Sequence, residues 1–99
     1  MLEKGVKYDA GKPRYDLFPA ISEQEIVKVL TFGAKKYDDD NWRKVDNQQK
    51  RYYAAARRHM NAWRMGDVYD KESGLHHLAH AICCLIFLMT PELEDAKTI

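Results

Sequence analysis

Three of the four histidines in this 99-residue chain lie within five positions, as His76, His77 and His80. Cys83 and Cys84 follow within about one helical turn, and the next residues are apolar. Imidazoles bind divalent metal ions and transfer protons near neutral pH. Placing such rings against an apolar wall costs free energy unless each finds a partner. The sequence therefore predicts a partner, which is a metal ion, a phosphate-bearing substrate or a carboxylate.

On a helix, the pairs His76/His80 and His77/His80 have the i,i+4 and i,i+3 spacings that let two rings converge on one ion. Glu72 lies one turn before His76, and Asp70 lies just before the predicted helix. We therefore predict a divalent metal site formed by Glu72, His77, His80 and Asp70. Hydrogen-bonded rings at a helix interface, or rings that contact a bound substrate, are the alternatives.

The cysteines are adjacent, and neighbouring residues on a helix point in different directions, so a bond between Cys83 and Cys84 is disfavoured. The absence of a C-x-x-C pair argues against a closed zinc site. We expect buried, reduced thiols in a cytoplasmic protein. No signal peptide is evident, and the apolar run 81–89 is shorter than the roughly 20 residues that cross a membrane.

A second cluster carries Arg57, Arg58 and His59. His59 falls on the apolar side of its predicted helix. If this helix packs antiparallel to the next one, His59 comes near His77 and Glu72. We therefore predict Glu72, His77, His80 and His59 as catalytic residues, with His59 as a further candidate metal ligand. Arg58 can contact a phosphate in a bidentate manner, or it is solvated surface charge.

Further candidates for substrate binding are spread along the first half of the chain. Lys12 and Arg14 follow a flexible glycine, which suits phosphate contact, although no P-loop motif is present. Lys36 lies near a helix C-terminus. Asn41 and Trp42 offer an amide and a flat ring to a nucleotide base. Exposed charge, the helix dipole and a core position for Trp42 are the alternatives.

Three predicted helices must position these residues. The first spans 22–37 after a capping box of Ser22 and Glu25. The second runs from a cap at 46–49 to about 65, and Gly66 stops it. The third spans 72–90 and ends at Pro91. We predict one all-α domain over 1–99: an extended arm at 1–20 lying across a helical core at 21–90, a tail at 91–99, and completion of the small core by dimerisation.

Several motifs in this order resemble a phage-associated family, the N-terminal domain of dATP/dGTP diphosphohydrolases. The resemblance covers roughly 7–89, and the motifs are 11–17, 29–37, Asn41-Trp42, Arg58-His59 and 73–80. It implies a phage-encoded enzyme that cleaves purine deoxynucleoside triphosphates into monophosphate and pyrophosphate. Through a relation to MazG-like pyrophosphohydrolases, it also implies a dimeric helical bundle that uses Mg²⁺ or Mn²⁺.

MazG-like enzymes bind their ions with E-x-x-E and E-x-x-D motifs. Here the same spacing carries imidazoles, in His77-Leu78-Ala79-His80. Mg²⁺ prefers oxygen ligands, whereas imidazole suits Mn²⁺, Zn²⁺, Fe²⁺ or Ni²⁺. The expected cofactor is therefore a divalent metal, with Mg²⁺ or Mn²⁺ favoured by the resemblance and Zn²⁺, Fe²⁺ or Ni²⁺ by the donor atoms.

Two other function classes remain open. A non-catalytic nucleotide-binding or regulatory module would bind the nucleotide without turnover. A nucleic-acid binder would use the cations Lys35, Lys36, Lys50, Arg51, Arg57 and Arg58. The net charge of +1 disfavours a chain-wide polyanion surface, so nucleic acid is the least expected partner. The expected partners are a small nucleotide and a second copy of the chain, without a membrane.

Overall fold

The computed structural model describes residues 3–98, with side chains to residue 96. Its three helices are α1 (Ala20–Lys36), α2 (Gln48–Arg64) and α3 (His77–Thr98). Two short 3-10 segments, Tyr15–Leu17 and Asn41–Lys44, precede α1 and α2. Within the described residues the only β-type pairing is an isolated bridge between Tyr69 and His76. The all-α class is confirmed.

The start of α1 differs from the prediction. The helix begins at Ala20 after Pro19, so Ser22 lies inside the first turns and forms no cap. Pro19 has a φ of −62° and needs no hydrogen-bond acceptor for its nitrogen, which suits the entry to a helix. Glu25 does not reach back to Ser22; its Oε2 accepts a hydrogen bond from the His76 backbone N–H at 3.0 Å. A tertiary contact has replaced the expected local one.

The bounds of α2 lie close to those predicted. Asn47 precedes it in the left-handed region, with a φ of 55°. Gly66 follows its end with a φ of 97°, and the Asp67 N–H bonds to the Ala62 carbonyl while the Gly66 N–H bonds to that of Trp63. These two bonds form a Schellman motif, in which glycine supplies the left-handed residue. The prediction that Gly66 stops this helix is confirmed.

Both ends of α3 correct the prediction. The helix begins at His77, so Glu72 and His76 lie outside it and do not share its face with His80. The His76 Nδ1 instead accepts a hydrogen bond from the Leu78 N–H at 3.0 Å, which caps the first turn. Pro91 lies within the helix, and the predicted tail is helical to Thr98. Glu94 gives this extension a tertiary contact through an ion pair with Arg43 at 2.8 Å. Ile99 lies outside the described residues.

The core lies where α1 and α2 pack against α3. Its central cluster is Ile26 and Val29 of α1 with Ala79 and Cys83 of α3. Leu75, Ile86 and Phe87 pack around it. Cys83 and Cys84 are buried and not disulfide-bonded, as expected, and burial raises the pKa of Cys83 to about 12 and that of Cys84 to about 11. The thiols therefore act as small apolar side chains.

The N-terminal arm, residues 3–19, does not lie across its own helices as predicted. Tyr8 is 86% exposed, Tyr15 87% and Leu17 67%. The radius of gyration is 17.6 Å, against about 13 Å for a compact chain of this length. The difference follows from sparse anchoring, because the described hydrogen bonds within the arm are local turns and an Arg14–Asp16 pair.

One face of α3 remains apolar and exposed. It carries Ile82, Leu85, Met89 and Leu93, each at least 39% exposed. By length and composition alone, His77–Ala96 is apolar enough to cross a membrane. Core helices of soluble proteins have the same length and composition, so these two properties alone do not distinguish a membrane span from a core helix. An exposed stripe of this kind is also what contact with another protein surface requires.

Candidate functional site

The antiparallel packing of α2 against α3 brings three histidines together. The Nδ1 atoms of His59 and His77 are 2.9 Å apart. The rings of His59 and His80 stack with centroids 4.6 Å apart and an interplanar angle of 11°. Farther along the pair, Tyr52 of α2 meets Phe87 of α3 edge to face at 5.1 Å. His59 thus lies beside His77, as antiparallel packing predicts.

The loop between α2 and α3 positions Asp70 beside these rings. Asp70 Oδ2 accepts the Ser73 backbone N–H at 2.9 Å, and the Asp70 carbonyl accepts the Gly74 N–H at 2.7 Å. The Ser73 hydroxyl lies 2.7 Å from His80 Nε2 and accepts the Leu75 N–H. Gly74 has a φ of 73°, a conformation that favours glycine. The loop therefore fixes the carboxylate rather than leaving it free to rotate.

Among the residues that the structure describes, His59, Asp70 and His77 form a group with the donor atoms and spacing that a metal ion requires. One donor atom from each lies within 4.8 Å of the other two. Asp70 and His77 belong to the predicted metal set and His59 is the further candidate ligand, whereas the predicted ligands Glu72 and His80 lie outside this group. Glu72 turns away to an ion pair with Lys36 at 2.5 Å. His80 Nε2 is 3.8 Å from Asp70 Oδ2, next to the group rather than within it.

The donor atoms of the three residues suit a divalent transition-metal ion of intermediate softness. Two imidazole nitrogens and one carboxylate suit Zn²⁺, Mn²⁺, Fe²⁺ or Ni²⁺ better than Mg²⁺, which prefers oxygen. Asp67 Oδ2 lies 3.2 Å from His77 Nε2. A carboxylate at this position accepts the Nε2–H, which leaves Nδ1 as the nitrogen with a free lone pair. That nitrogen is the one that faces His59.

Burial sets the charge state of the cluster. It lowers the pKa of His59 and of His80, and in His59 the neighbouring rings of His80 and His77 lower it further. Burial alone would raise the pKa of Asp70, but hydrogen bonds from the Ser73 N–H and hydroxyl outweigh it and the pKa is lowered. At neutral pH His59 and His80 are therefore neutral and Asp70 is ionised, and these are the forms of imidazole and carboxylate that ligate metal.

These shifts predict acid sensitivity of the metal-free protein. The pKa values of His59 and His80 lie below 6.5 in the folded state, so the unfolded chain binds protons first as the pH falls. The two neutral rings contribute fully to the free energy of unfolding above pH 6.5. This contribution is lost progressively as the pH drops below 6.5. We expect the free energy of unfolding, measured with urea in EDTA, to fall between pH 7.5 and 5.5. The His80→Gln variant should show a shallower slope; an equal slope would contradict this assignment.

A cavity of about 650 Å³ opens beside the cluster, between the C-terminal half of α1, the Asn41–Lys44 turn and the other two helices. This volume lies within the usual range for small-molecule sites. Its lining includes the polar side chains of His59, Asp70, Glu72 and His80. The apolar and aromatic part of the lining, which we call the aromatic wall, consists of Val29, Leu30, Phe32, Trp42, Tyr52, Ile86 and Phe87. Such a division suits a ligand with one charged end and one flat end.

Three predicted substrate-binding residues line this cavity: Lys36, Asn41 and Trp42. Trp42 stacks on Phe87 with centroids 4.8 Å apart and an angle of 12°. The Arg43 guanidinium lies 4.4 Å from the centroid of the same ring. The ring already has two stacking partners, so a base would meet its edge or displace Arg43.

The other three predicted cations do not line the cavity. Arg58 is exposed on α2 beside His59, where its charge helps to lower the pKa of that ring. Lys12 and Arg14 lie on the exposed arm, and Arg14 pairs with Asp16 at 2.7 Å. The structure therefore places His59 and Asp70 in the same cavity lining as Asn41 and Trp42, and leaves the predicted phosphate contacts Lys12, Arg14 and Arg58 outside it.

Sequence reasoning missed Asp67 and Ser73, which orient His77 and His80. Both are polar residues that flank the histidine cluster in the sequence, which made them candidates. Only the path of the loop between α2 and α3 shows which histidine each of them contacts. The roles of Glu25 and His76 in tying the loop to α1 are a tertiary contact across 51 residues and have no local signature.

Residues 2–98 match the family described as dATP/dGTP diphosphohydrolase, N-terminal. A protein of Salmonella phage PMBT28 named dATP/dGTP diphosphohydrolase is 34% identical over 84 residues. The alignment covers 85% of this chain and 28% of that relative, so the chain corresponds to little more than a quarter of its length. No solved structure matches the chain.

Proposed function

The chain belongs to the family of dATP/dGTP diphosphohydrolase N-terminal domains, and from this membership we propose that it takes part in metal-dependent hydrolysis of purine deoxynucleoside triphosphates. The products are a deoxynucleoside monophosphate and pyrophosphate. The proposed setting is the nucleotide pool of a phage-infected cell, in the host cytoplasm. The name of the phage relative, dATP/dGTP diphosphohydrolase, supports the substrate class.

The observation that carries this proposal is the position of the His59–Asp70–His77 group beside the cavity. His59 and Asp70 line the cavity directly, and the 6% exposed His77 lies behind them. In this proposal the purine lies against the aromatic part of the cavity lining and the polyphosphate faces the donor group. A binding pocket and candidate ligands for an ion therefore meet at one place.

In the proposed reaction, water attacks the α-phosphorus, the bond from that phosphorus to the bridging oxygen of the β-phosphate breaks, and pyrophosphate leaves. The water gives up a proton, for which His80 is the proposed acceptor. Its lowered pKa keeps the ring neutral, and Ser73 at 2.7 Å orients it. Lys36 is proposed to exchange its Glu72 partner for a phosphate oxygen, since its exposed ion pair is weak.

His59, Asp70 and His77 would hold the ion in this proposal. When bound, a divalent ion supplies positive charge at the phosphates and assists deprotonation of the attacking water. The protein's own contribution is to fix the three donors. Burial keeps His59 neutral, Ser73 holds Asp70, and Asp67 sets the tautomer of His77.

The test is a hydrolysis panel with the purified chain. dATP, dGTP and the pyrimidine deoxynucleotides are incubated with Mn²⁺, Zn²⁺, Fe²⁺, Ni²⁺ or Mg²⁺, and pyrophosphate is measured. We expect purine-selective release that EDTA abolishes. Release of inorganic phosphate alone, or no release under any condition, contradicts the proposal.

A second candidate follows from the 28% coverage of the phage relative. In that case this domain binds the nucleotide, and residues elsewhere in the relative carry the chemistry. Calorimetry would then detect dATP or dGTP binding without turnover. Substitutions at His77 and His80 would change affinity or stability and have no rate to change.

Asp67 provides a specific prediction as a positioning residue. The Asp67→Asn variant keeps the side-chain volume but weakens the acceptor that orients His77. Loss of such an outer carboxylate commonly costs about 10–100-fold in metal affinity or activity. We expect a loss in that range and rescue of the rate at higher metal concentration. A rate that excess metal does not restore would place Asp67 outside this role.

A further inference from the structure

The N-terminal arm exposes both its apolar side chains and its cations. Tyr15, Leu17 and Phe18 are 87%, 67% and 52% exposed. The arm nevertheless has a defined local form, with a turn from Asp9 to Lys12 and the 3-10 segment Tyr15–Leu17. Large apolar side chains presented together on a shaped segment indicate a docking partner rather than a solvated tail.

The cavity, in turn, lacks positive charge. Its lining holds one lysine, Lys36, against the five carboxylates Asp38, Asp39, Asp40, Asp70 and Glu72. Lys36 is itself paired with Glu72. A nucleoside triphosphate carries several negative charges, and even a bound divalent ion neutralises only part of this excess. Within the described residues, the cavity lining is electrostatically incomplete for such a ligand.

A groove runs along α1 toward Asp38–Asp40, the carboxylates of the cavity lining that follow this helix and that we call the acidic rim. We call this groove the α1 groove; its apolar lining is Ala20, Ile21, Val27, Phe32 and Leu75. Phe32 also lines the cavity, so the groove and the cavity are adjacent surfaces separated by one side chain. An extended segment whose aromatic side chains lie in this groove would have one end next to Asp38–Asp40.

The arm of the same chain is poorly placed to fill this position. From Ala20 to Lys36, α1 is about 25 Å long, and the rim lies beyond its C-terminal end. The six residues from Arg14 to Ala20 span at most about 20 Å, and only if the 3-10 segment unwinds. The chain would also have to reverse direction at Pro19. A second copy can present its arm from the opposite direction without these costs.

We propose that the arm of a second copy of this chain lies in the α1 groove and completes the cavity from the partner side. Tyr15, Leu17 and Phe18 of the arm fill the apolar groove. Lys12 and Arg14 meet the Asp38–Asp40 rim, close in sequence to Lys36, and add positive charge on the side of the cavity where Lys36 is proposed to contact a substrate phosphate. The exposed Arg14–Asp16 pair is weak enough to exchange for these partners. The phosphate contact rests on the proposed function, whereas the docking of the arm does not.

Cross-linking tests the docking independently of activity. Two single variants, Arg14→Cys and Asp39→Cys, are mixed and oxidised, one of them carrying a mass tag. The native Cys83 and Cys84 stay protonated because burial raises their pKa values to about 12 and about 11. The control pair is Arg14→Cys with Arg64→Cys, at the far end of α2. All variants are used as full chains.

We expect a disulfide-linked species of the two different chains, formed only by the Arg14→Cys and Asp39→Cys pair. Equal cross-linking of the control pair would mean random collision and overturn the proposal. So would the absence of a mixed species, or a link that forms solely within one chain when both cysteines are placed in it.

Complementation tests the contribution to the site. A Lys12→Ala/Arg14→Ala variant has an intact cavity and a defective arm; Asp70→Asn has the reverse. If the arm acts on the partner, mixed dimers contain one complete site, and a 1:1 mixture after subunit exchange should regain about a quarter of the wild-type rate. No recovery after exchange, with both homodimers inactive, means that the arm acts within its own chain and overturns the proposal.

The two tests separate this inference from the proposed function. If the wild-type chain hydrolyses nucleotides but neither cross-linking nor complementation succeeds, the function stands and the shared site is wrong. If cross-linking succeeds but the wild-type chain has no hydrolytic activity, the docked arm stands and the function is wrong.

Discussion

The Asp70→Asn variant is expected to lose both bound transition metal and hydrolytic activity, the latter by at least about 100-fold. Loss of an outer-shell carboxylate already costs about 10–100-fold, and Asp70 is a proposed direct ligand. The amide keeps an oxygen that can accept the Ser73 N–H, so the loop between α2 and α3 should retain its shape. What disappears is the negative charge between His59 and His77.

Metal content after dialysis and the rate of pyrophosphate release are the two measurements. Asp46→Asn is the matched control, because it removes an exposed carboxylate outside the cavity lining. A circular dichroism spectrum and a melting curve in EDTA establish that both variants fold. If Asp70→Asn retains stoichiometric metal and the wild-type rate, the His59–Asp70–His77 site is wrong.

The part of the site predicted from sequence is the part that helical periodicity determines. His77 and His80 lie one turn apart on α3, and antiparallel packing brings His59 against them. The position of Glu72 could not be obtained in this way. The sequence pattern predicts that Glu72 begins the third helix, but Gly74 and the bridge between Tyr69 and His76 shape residues 70–76 into a loop. Loop geometry then decides that Asp70, rather than Glu72, faces the rings.

The helix ends show the same difference between features that local sequence determines and features that tertiary contacts determine. The end of α2 was predictable because Gly66 provides a local Schellman signal. The start of α1 was not, because Glu25 bonds to His76 instead of completing a capping box with Ser22. Proline normally disrupts helix interiors. At Pro91 the helix continues, and the ion pair of Glu94 with Arg43 is one tertiary contact that supports it.

The largest expected effect on stability is that of Phe87→Ala. Phe87 packs against the core cluster, stacks on Trp42 at 4.8 Å and meets Tyr52 at 5.1 Å. Its side chain therefore joins α2, α3 and the Asn41–Lys44 turn. Truncating a core phenylalanine costs about 3–5 kcal/mol, and its partial exposure places this one near the lower end. Since small domains have about 5–15 kcal/mol in total, the loss is a large fraction.

Urea unfolding monitored by tryptophan fluorescence measures this loss, because one of the two tryptophans stacks on the replaced ring. Met89→Ala is the control; its side chain is 51% exposed on the same helix and should cost much less. Phe87→Leu, which keeps much of the apolar volume, should fall between the two. If Phe87→Ala and Met89→Ala destabilise equally, then the aromatic cluster does not hold the turn in place. The wall of the cavity would then be set by the helices alone.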